Sequence, residues 1–276
     1  MGFPMFMRRN VCSATVVASA ALWAVAACAK PKARPVQDSP VAALRLKVVR
    51  TFPHDPNAFT QGLLFFDGKF YESTGLLRRS SLRRVDPDSG VVENRVDLPP
   101  DLFGEGLARV GGRLFQITWQ NGRALVWNLA TLRKEREISY QGEGWGLCYD
   151  GRHLVMSDGS DTLALRDPDT FAKVGAIVVR RAGQPVRNLN ELECVDGLVY
   201  ANVWQDSHIA RIDPGTGEVT GWIDASGLLK PDEARRADVL NGIAYLPTTG
   251  HFLLTGKLWP SLFEVEIVPE ASPADK

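Results

Sequence analysis

Gly106-Leu107-Ala108 opens a stretch in which a second apolar run, Leu114-Phe115-Gln116-Ile117, and a third, Ala124-Leu125-Val126-Trp127-Asn128, follow in quick succession. The same order of parts recurs along the chain. Its starts are Gly62-Leu63-Leu64, Gly106-Leu107-Ala108, Gly146-Leu147-Cys148, Glu191-Leu192-Glu193 and Gly242-Ile243-Ala244, spaced by 44, 40, 45 and 51 residues. The second run recurs as Phe70-Tyr71, Leu154-Val155-Met156, Val199-Tyr200-Ala201 and Phe252-Leu253-Leu254, and the alternating third run as residues 82–86, 162–167, 208–213 and 262–267. Three of these end in Asp86-Pro87-Asp88-Ser89-Gly90, Asp167-Pro168-Asp169-Thr170 and Asp213-Pro214-Gly215-Thr216-Gly217. Such turns join antiparallel strands, because proline presets φ and the aspartate side chain caps its own turn. A fourth run follows in the first four repeats, as in Val91-Val92-Glu93-Asn94-Arg95-Val96.

Short alternating strands repeating at this period, with no amphipathic helix between them, predict four-stranded blades and an all-β, five-bladed β-propeller. A simple β-sandwich does not account for five equal units. The fifth repeat stops after its third strand. Leu46-Lys47-Val48-Val49-Arg50-Thr51 has the length and alternation to supply the fourth, and pairing it there closes the ring and removes an exposed edge.

Outside the repeats, Arg8 and Arg9 precede an uncharged apolar stretch, residues 11–27, with the form of a secretory signal, short for a membrane span. It ends Val25-Ala26-Ala27-Cys28, which resembles a bacterial lipobox, so residues 1–27 are expected to be removed and Cys28 to carry a lipid; a cut after Ala24-Val25-Ala26 is the other reading. Residues 28–43, rich in Pro and Ala, read as a tether, residues 44–268 as the propeller and 269–276 as a tail. The chain is expected to be an exported, periplasmic or envelope-anchored monomer of a bacterium, touching the membrane only through that lipid. Balanced charge, 32 basic against 32 acidic residues, argues against a nucleic-acid partner. Cys148 and Cys194 fall inside the body; their positions differ by one within the repeat, which leads us to expect two buried thiols without a bond.

In a blade, the first strand lines the channel and the second runs back beside it, so the start of one and the end of the other open on one face. At the starts stand Gln61, Glu105, Trp145, Asn190 and Asn241; at the ends stand Thr74, Trp119, Asp158, Trp204 and Lys257. Three indoles, a carboxylate, amides and one lysine make the lining of a small-molecule pocket, mostly apolar with few directed polar groups. Flanking glycines leave Glu105 uncrowded, whereas Asp158 and Thr74 read equally well as turn residues. The four histidines occupy unrelated repeat positions, unlike a metal centre or a Ser-His pair. Arg78, Arg79, Arg83 and Arg84 read as a solvated basic hairpin.

The strings around these positions carry a resemblance. Phe59-Thr60-Gln61-Gly62-Leu63, Phe103-Gly104-Glu105-Gly106-Leu107, Thr118-Trp119, Gly142-Glu143-Gly144-Trp145-Gly146-Leu147, Leu189-Asn190-Glu191-Leu192-Glu193, Ala201-Asn202-Val203-Trp204 and Thr255-Gly256-Lys257-Leu258-Trp259-Pro260 resemble, in order, the plant and bacterial type of glutaminyl cyclase. The resemblance runs from about Phe59 to Val265. It implies conversion of N-terminal glutamine on peptides or proteins to pyroglutamate with release of ammonia, without a catalytic zinc or another cofactor. It also implies an active-site set of Phe59, Gln61, Phe103, Glu105, Trp119, Trp145, Asn190, Trp204 and Lys257. Here Glu105 fits a proton shuttle, and Lys257, Asn190 or Gln61 could hold the oxyanion. Two other readings fit the residues: a calcium-dependent lactonase-like propeller using Glu105, Asn190, Asn241 and Asp158, and a non-catalytic propeller that binds peptide. A structural divalent ion in the channel is also left open.

Overall fold

The computed structural model describes Met1, Gly2 and residues 41–270; the signal, the lipobox at Cys28, most of the tether and residues 271–276 lie outside the described residues. The body consists of five antiparallel four-stranded units. Blade one is Thr60–Phe66, Lys69–Thr74, Ser81–Val85 and Val92–Asp97. Blade two is Gly104–Val110, Arg113–Thr118, Arg123–Asn128 and Lys134–Ser139. Blade three is Leu147–Tyr149, Leu154–Met156, Thr162–Arg166 and Lys173–Val178, and blade four is Leu189–Val195, Leu198–Val203, His208–Ile212 and Val219–Asp224. Blade five takes Leu240–Leu246, His251–Gly256 and Ser261–Pro269, and its outermost strand is Ala42–Pro53, as the truncated fifth repeat requires. That strand begins at Ala42, inside the segment read as a tether. It also pairs in parallel with Val219–Asp224, so it stitches blade five to blade four.

Burial falls off from the axis outwards. First strands are buried on both faces over most of their length, whereas outer strands alternate or face water, as in Val92–Asp97. The apolar core is therefore divided into five wedges, one between each pair of neighbours. Leu82 of blade one meets Leu107, Leu114 and Leu125 of blade two. Phe115 and Ile117 meet Leu147, Leu154 and Met156 of blade three. Val155 and Leu163 pack on Leu192, Ala201 and Val203 of blade four, and Tyr200 and Ile209 on Ile243, Phe252 and Leu254 of blade five. Leu253 and Leu262 return to Leu63 and Phe70, which completes the circle.

The first strands themselves touch at the glycines that open the repeats. A Cβ on Gly62 would lie 2.5 Å from the Leu107 nitrogen, and one on Gly106 would lie 2.5 Å from the Leu147 nitrogen. One on Gly146 would overlap the Asn190 carbonyl. Blade four has Glu191 at this place. Its buried carboxylate crosses the channel and accepts the backbone N–H groups of Leu63, at 3.2 Å, and Ile243, at 2.8 Å. Burial, with Glu193 nearby, holds the Glu191 carboxyl well above the usual carboxylate range against those two donors.

Two expectations need correction. Cys148 and Cys194 form a disulfide, with Cα atoms 5.5 Å apart, inside the range such bonds require. An offset of one residue turns the side chain to the opposite face of a strand. On first strands of adjacent blades, opposite faces are the ones that look at each other. The offset therefore brings the sulfurs together. Arg83 is buried rather than solvated, and donates to Asp55 at 2.8 Å and to Ser81 at 3.0 Å. The turn chemistry is as expected: Asp86, Asp167 and Asp213 each accept from backbone two or three residues on. Asn128 does the same for Thr131 in blade two without a proline.

Because the inner ring has no room for a methyl at Gly106, Gly106→Ala should lower unfolding stability by about 1–3 kcal/mol or more. Gly112→Ala has nothing within 4 Å and should change it by no more than about 1 kcal/mol. Urea denaturation of the two variants checks the contrast, and equal midpoints would contradict it.

Candidate active site

The channel-mouth residues project inward because the strands that carry them are broken in register at that point. Pairing jumps between Thr60 and Gly62, Gly104 and Leu107, Leu189 and Leu192, and Leu240 and Ile243. These bulges free Gln61, Glu105, Asn190 and Asn241 from the alternation that would pack them between blades, and a bulge commonly re-aims a side chain beside a site. Blade three differs: its first strand starts at Leu147, so Trp145 stands in the entering loop.

Above the bulges lies a cavity of about 340 Å³, lined by Phe59, Gln61, Leu76, Phe103, Glu105, Trp119, Trp145, Asn190, Trp204, Gln205, Asp238, Val239 and Lys257. Aromatic edges meet aromatic faces around it. Phe59 and Phe103 are 6.2 Å apart at 87°, Phe103 and Trp119 5.6 Å at 63°, and Trp145 and Trp204 5.6 Å at 86°. Two glycines make room for these rings: a Cβ on Gly75 would overlap Phe103, and one on Gly159, where φ is +82°, would lie 2.7 Å from the Trp145 ring. The floor is polar. Gln61 donates from Nε2 to Glu105 Oε1 at 3.1 Å, and Asn241 donates to Gln61 Oε1 at 3.2 Å and to the Thr60 carbonyl at 2.9 Å. The Asn241 bonds hold the Gln61 amide with its nitrogen towards the carboxylate.

Two opposite charges share this apolar chamber. Burial pushes the Glu105 carboxyl well above its ordinary range; Lys257 pulls it down, and Glu143 pushes it further up. Burial lowers the Lys257 ammonium, while Glu105 and Asp238 raise it. The Lys257 Nζ lies 4.9 Å from the centre of the Phe59 ring, a cation–π contact. Asn190 lines the cavity, and its Oδ1 is buried without a protein donor. A buried carboxyl that can take or give a proton, a buried ammonium and an unpartnered acceptor suit acyl transfer within a small polar group held by aromatic walls.

The family model described as glutamine cyclotransferase matches residues 16–267. The chain belongs to that family. A glutaminyl-peptide cyclotransferase of Arabidopsis thaliana is 44% identical over 228 residues, which are 80% of this chain and 71% of the plant protein. The crystal structure of a glutaminyl cyclase from Myxococcus xanthus is 44% identical, with a TM-score of 0.77, over 84% of this chain and 100% of that one. The resemblance drawn from the channel-mouth motifs therefore identifies the family.

All nine residues of the expected set line the cavity. Three members of the wider ring do not. Thr74 is buried and shares a 2.7 Å hydroxyl contact with Ser81, Asp158 accepts from Ser160 in its own loop, and Asn241 works from beneath through Gln61. Leu76, Gln205, Asp238 and Val239 also line the cavity and were not expected. Leu76 and Gln205 lie in loops at φ +82° and +65°, conformations that no residue pattern announces here. Val239 could have been found. Residues 59, 103, 143, 188 and 239 recur with the repeat spacing three places before each start. The matching backbone bonds run from Gly75 to Phe59, from Trp119 to Phe103, from Trp204 to Asn188 and from Lys257 to Val239.

Removing the support beneath Gln61 should be felt in catalysis. For Asn241→Ala we expect kcat/KM on a peptide with N-terminal glutamine to fall about fivefold to tenfold, the worth of roughly one orienting hydrogen bond. Steady-state ammonia release measures it, and an unchanged value would show that Gln61 does not need that bond.

Proposed function

We propose that the glutaminyl-peptide cyclotransferase activity of this chain runs through Glu105 as the carrier of protons, with no metal or other cofactor. The observation that supports this most directly is a single buried carboxylate on the floor of an aromatic cavity, raised in pKa and held by Gln61. The α-amine of an N-terminal glutamine arrives protonated, since its unperturbed pKa is about 8. Ionised Glu105 takes one proton from it. The freed amine attacks the carbon of the side-chain amide, and a tetrahedral carbon bearing O⁻ and the old NH₂ forms.

Glu105 returns its proton to that departing nitrogen, and the carbon–nitrogen bond breaks as the carbonyl re-forms. The surplus proton on the ring nitrogen passes to Glu105 and leaves with ammonia as ammonium. The lactam is pyroglutamate, and no water is consumed. The remaining polar groups divide naturally. Asn190 Oδ1 has acceptor capacity to spare and suits an N–H of the substrate amide, while the Lys257 ammonium suits the oxyanion. The indoles fold the flexible glutamine side chain towards ring closure, an entropic saving that intramolecular attack exploits.

Ammonia release from a Gln-initiated peptide tests this. Glu105→Gln should lower kcat about 10²- to 10⁴-fold while the fold persists, and saturating chelator should leave the wild-type rate unchanged. The rising limb of kcat/KM should lie above the ordinary carboxylate range, because Glu105 must be ionised to act and burial raises its pKa. Near-normal turnover in the variant defeats the role of Glu105, and loss of activity in chelator defeats the metal-free reaction. The reading also takes the enzyme to be exported and tethered by lipid on Cys28. Cys28→Ala should move it from the membrane to the soluble fraction on cell fractionation, and an unmoved protein would refute the anchor.

A further inference from the structure

Glu143 does not line the cavity, yet two of its walls hang from it. Its Oε2 accepts the indole N–H of Trp119 at 2.9 Å and that of Trp145 at 3.1 Å, and its Oε1 accepts from the Gln120 amide at 2.9 Å. The two indoles come from different blades. Trp119 follows the second strand of blade two, and Trp145 leads into the first strand of blade three. Trp119 is 37% exposed and meets Phe103 only at an angle. An aromatic side chain half in water has other rotamers open to it unless its polar edge is tied. One oxygen shared by both N–H groups fixes the gap between the rings, and so the width of the slot in which a glutamine side chain would lie.

Glu143 stands at the repeat position occupied elsewhere by Phe59, Phe103, Asn188 and Val239, of which Phe59, Phe103 and Val239 line the cavity directly. In blade three this position has passed from wall to support, and Trp145 has taken the wall. Partial burial opposes ionisation of Glu143, but the bonds from Gln120, Trp145 and Trp119 prevail and hold its pKa below the usual range. It is therefore a fixed negative charge near Glu105, whose other neighbours are Gln61, Lys257 and Tyr140.

We propose that Glu143 is a positioning residue, a carboxylate that sets the spacing of the Trp119 and Trp145 indoles and places a fixed negative charge near Glu105 without touching substrate. The proposal rests on the cyclotransferase reading of the cavity. Its test compares wild type, Glu143→Ala and Glu143→Gln, with Glu105→Gln alongside, in ammonia-release kinetics across pH and in acrylamide quenching of tryptophan emission. Glu143→Ala should raise KM about five- to tenfold with a smaller change in kcat, and should increase quenching. Glu143→Gln keeps an acceptor oxygen and should recover most of the KM and the quenching. In both variants the rising limb of kcat/KM should move to lower pH, since a neighbouring negative charge has gone. Should Glu143→Ala fail to fold, Glu143→Gln against wild type carries the test through the pH limb.

Wild-type KM and quenching in Glu143→Ala, or a limb that moves in neither variant, would overturn the proposal while wild type still releases ammonia. A wild type that releases none would sink the cyclotransferase reading instead. The quenching comparison would then still decide whether Glu143 holds the indoles.

Discussion

The close approach of the five first strands is the constraint on which the rest depends. Blades of a propeller splay outward, so the first strands bring backbone closest to backbone at the axis. Three repeats manage this by having no side chain at the point of contact, at Gly62, Gly106 and Gly146. In blade four a side chain fills the space and is put to use: Glu191 reaches across to the backbone of blades one and five, which are not consecutive with each other in the chain. The ring is thus held at its centre by a carboxylate and at its rim by Ala42–Pro53, which pairs with strands of blades four and five. The disulfide between Cys148 and Cys194 adds a covalent tie between blades three and four.

That tight centre is what makes an exact site possible on top of it. Gln61, Glu105, Asn190 and Asn241 leave the strands at bulges whose neighbours are locked on both sides, so their backbone cannot drift. Side chains held by packed strands are preorganised in a way that loop residues are not. The aromatic wall has the opposite problem. Trp119, Trp145 and Trp204 stand at strand ends and in entering loops, and they are steadied by ring contacts, by Gly159 and by Glu143.

How much of this was legible in the sequence depends on whether a feature repeats. The five starts, the closing strand and seven of the nine expected lining residues follow from one period and from strand alternation; Phe59 and Phe103 come only from the family resemblance. Glu143 shares the period too, but its meaning does not: a glutamate in a column of Phe59, Phe103 and Val239 gains a role only when two indole N–H groups are seen to converge on it. Glu191 likewise breaks its glycine column for a reason that lies across the channel. An odd offset puts two side chains on opposite faces, which on facing strands of neighbouring blades opposes the Cys148 and Cys194 thiols. The disulfide is therefore legible only once the blades are placed side by side. Leu76 and Gln205 share a repeat position, next after Gly75 and Trp204 and both at positive φ, but a leucine and an amide have no chemistry in common, so the period alone does not mark them. Asp238 stands beside Val239 with a side chain unlike those at its counterparts.

In the proposed reaction, the pairing of Glu105 with Lys257 bears on how one carboxylate would serve both halves of a cyclisation. Burial opposes the charge on each and the opposite charge of the other favours it, and the only side-chain hydrogen bond to Glu105 among the described residues comes from the neutral Gln61. A direct salt bridge would hold Glu105 firmly ionised and make it a poor base; an isolated carboxyl in this chamber would stay protonated and fail to accept at all. No salt bridge ties the two among the described residues: burial holds the Glu105 carboxyl well above the ordinary carboxylate range while Lys257 pulls it down, which suits a group that takes a proton and gives it back. Both line the cavity that, in the proposed reaction, a glutamine enters. In that reaction a substrate ammonium arriving there adds positive charge beside Glu105 and favours its ionised form, so the substrate would ready the base proposed to deprotonate it.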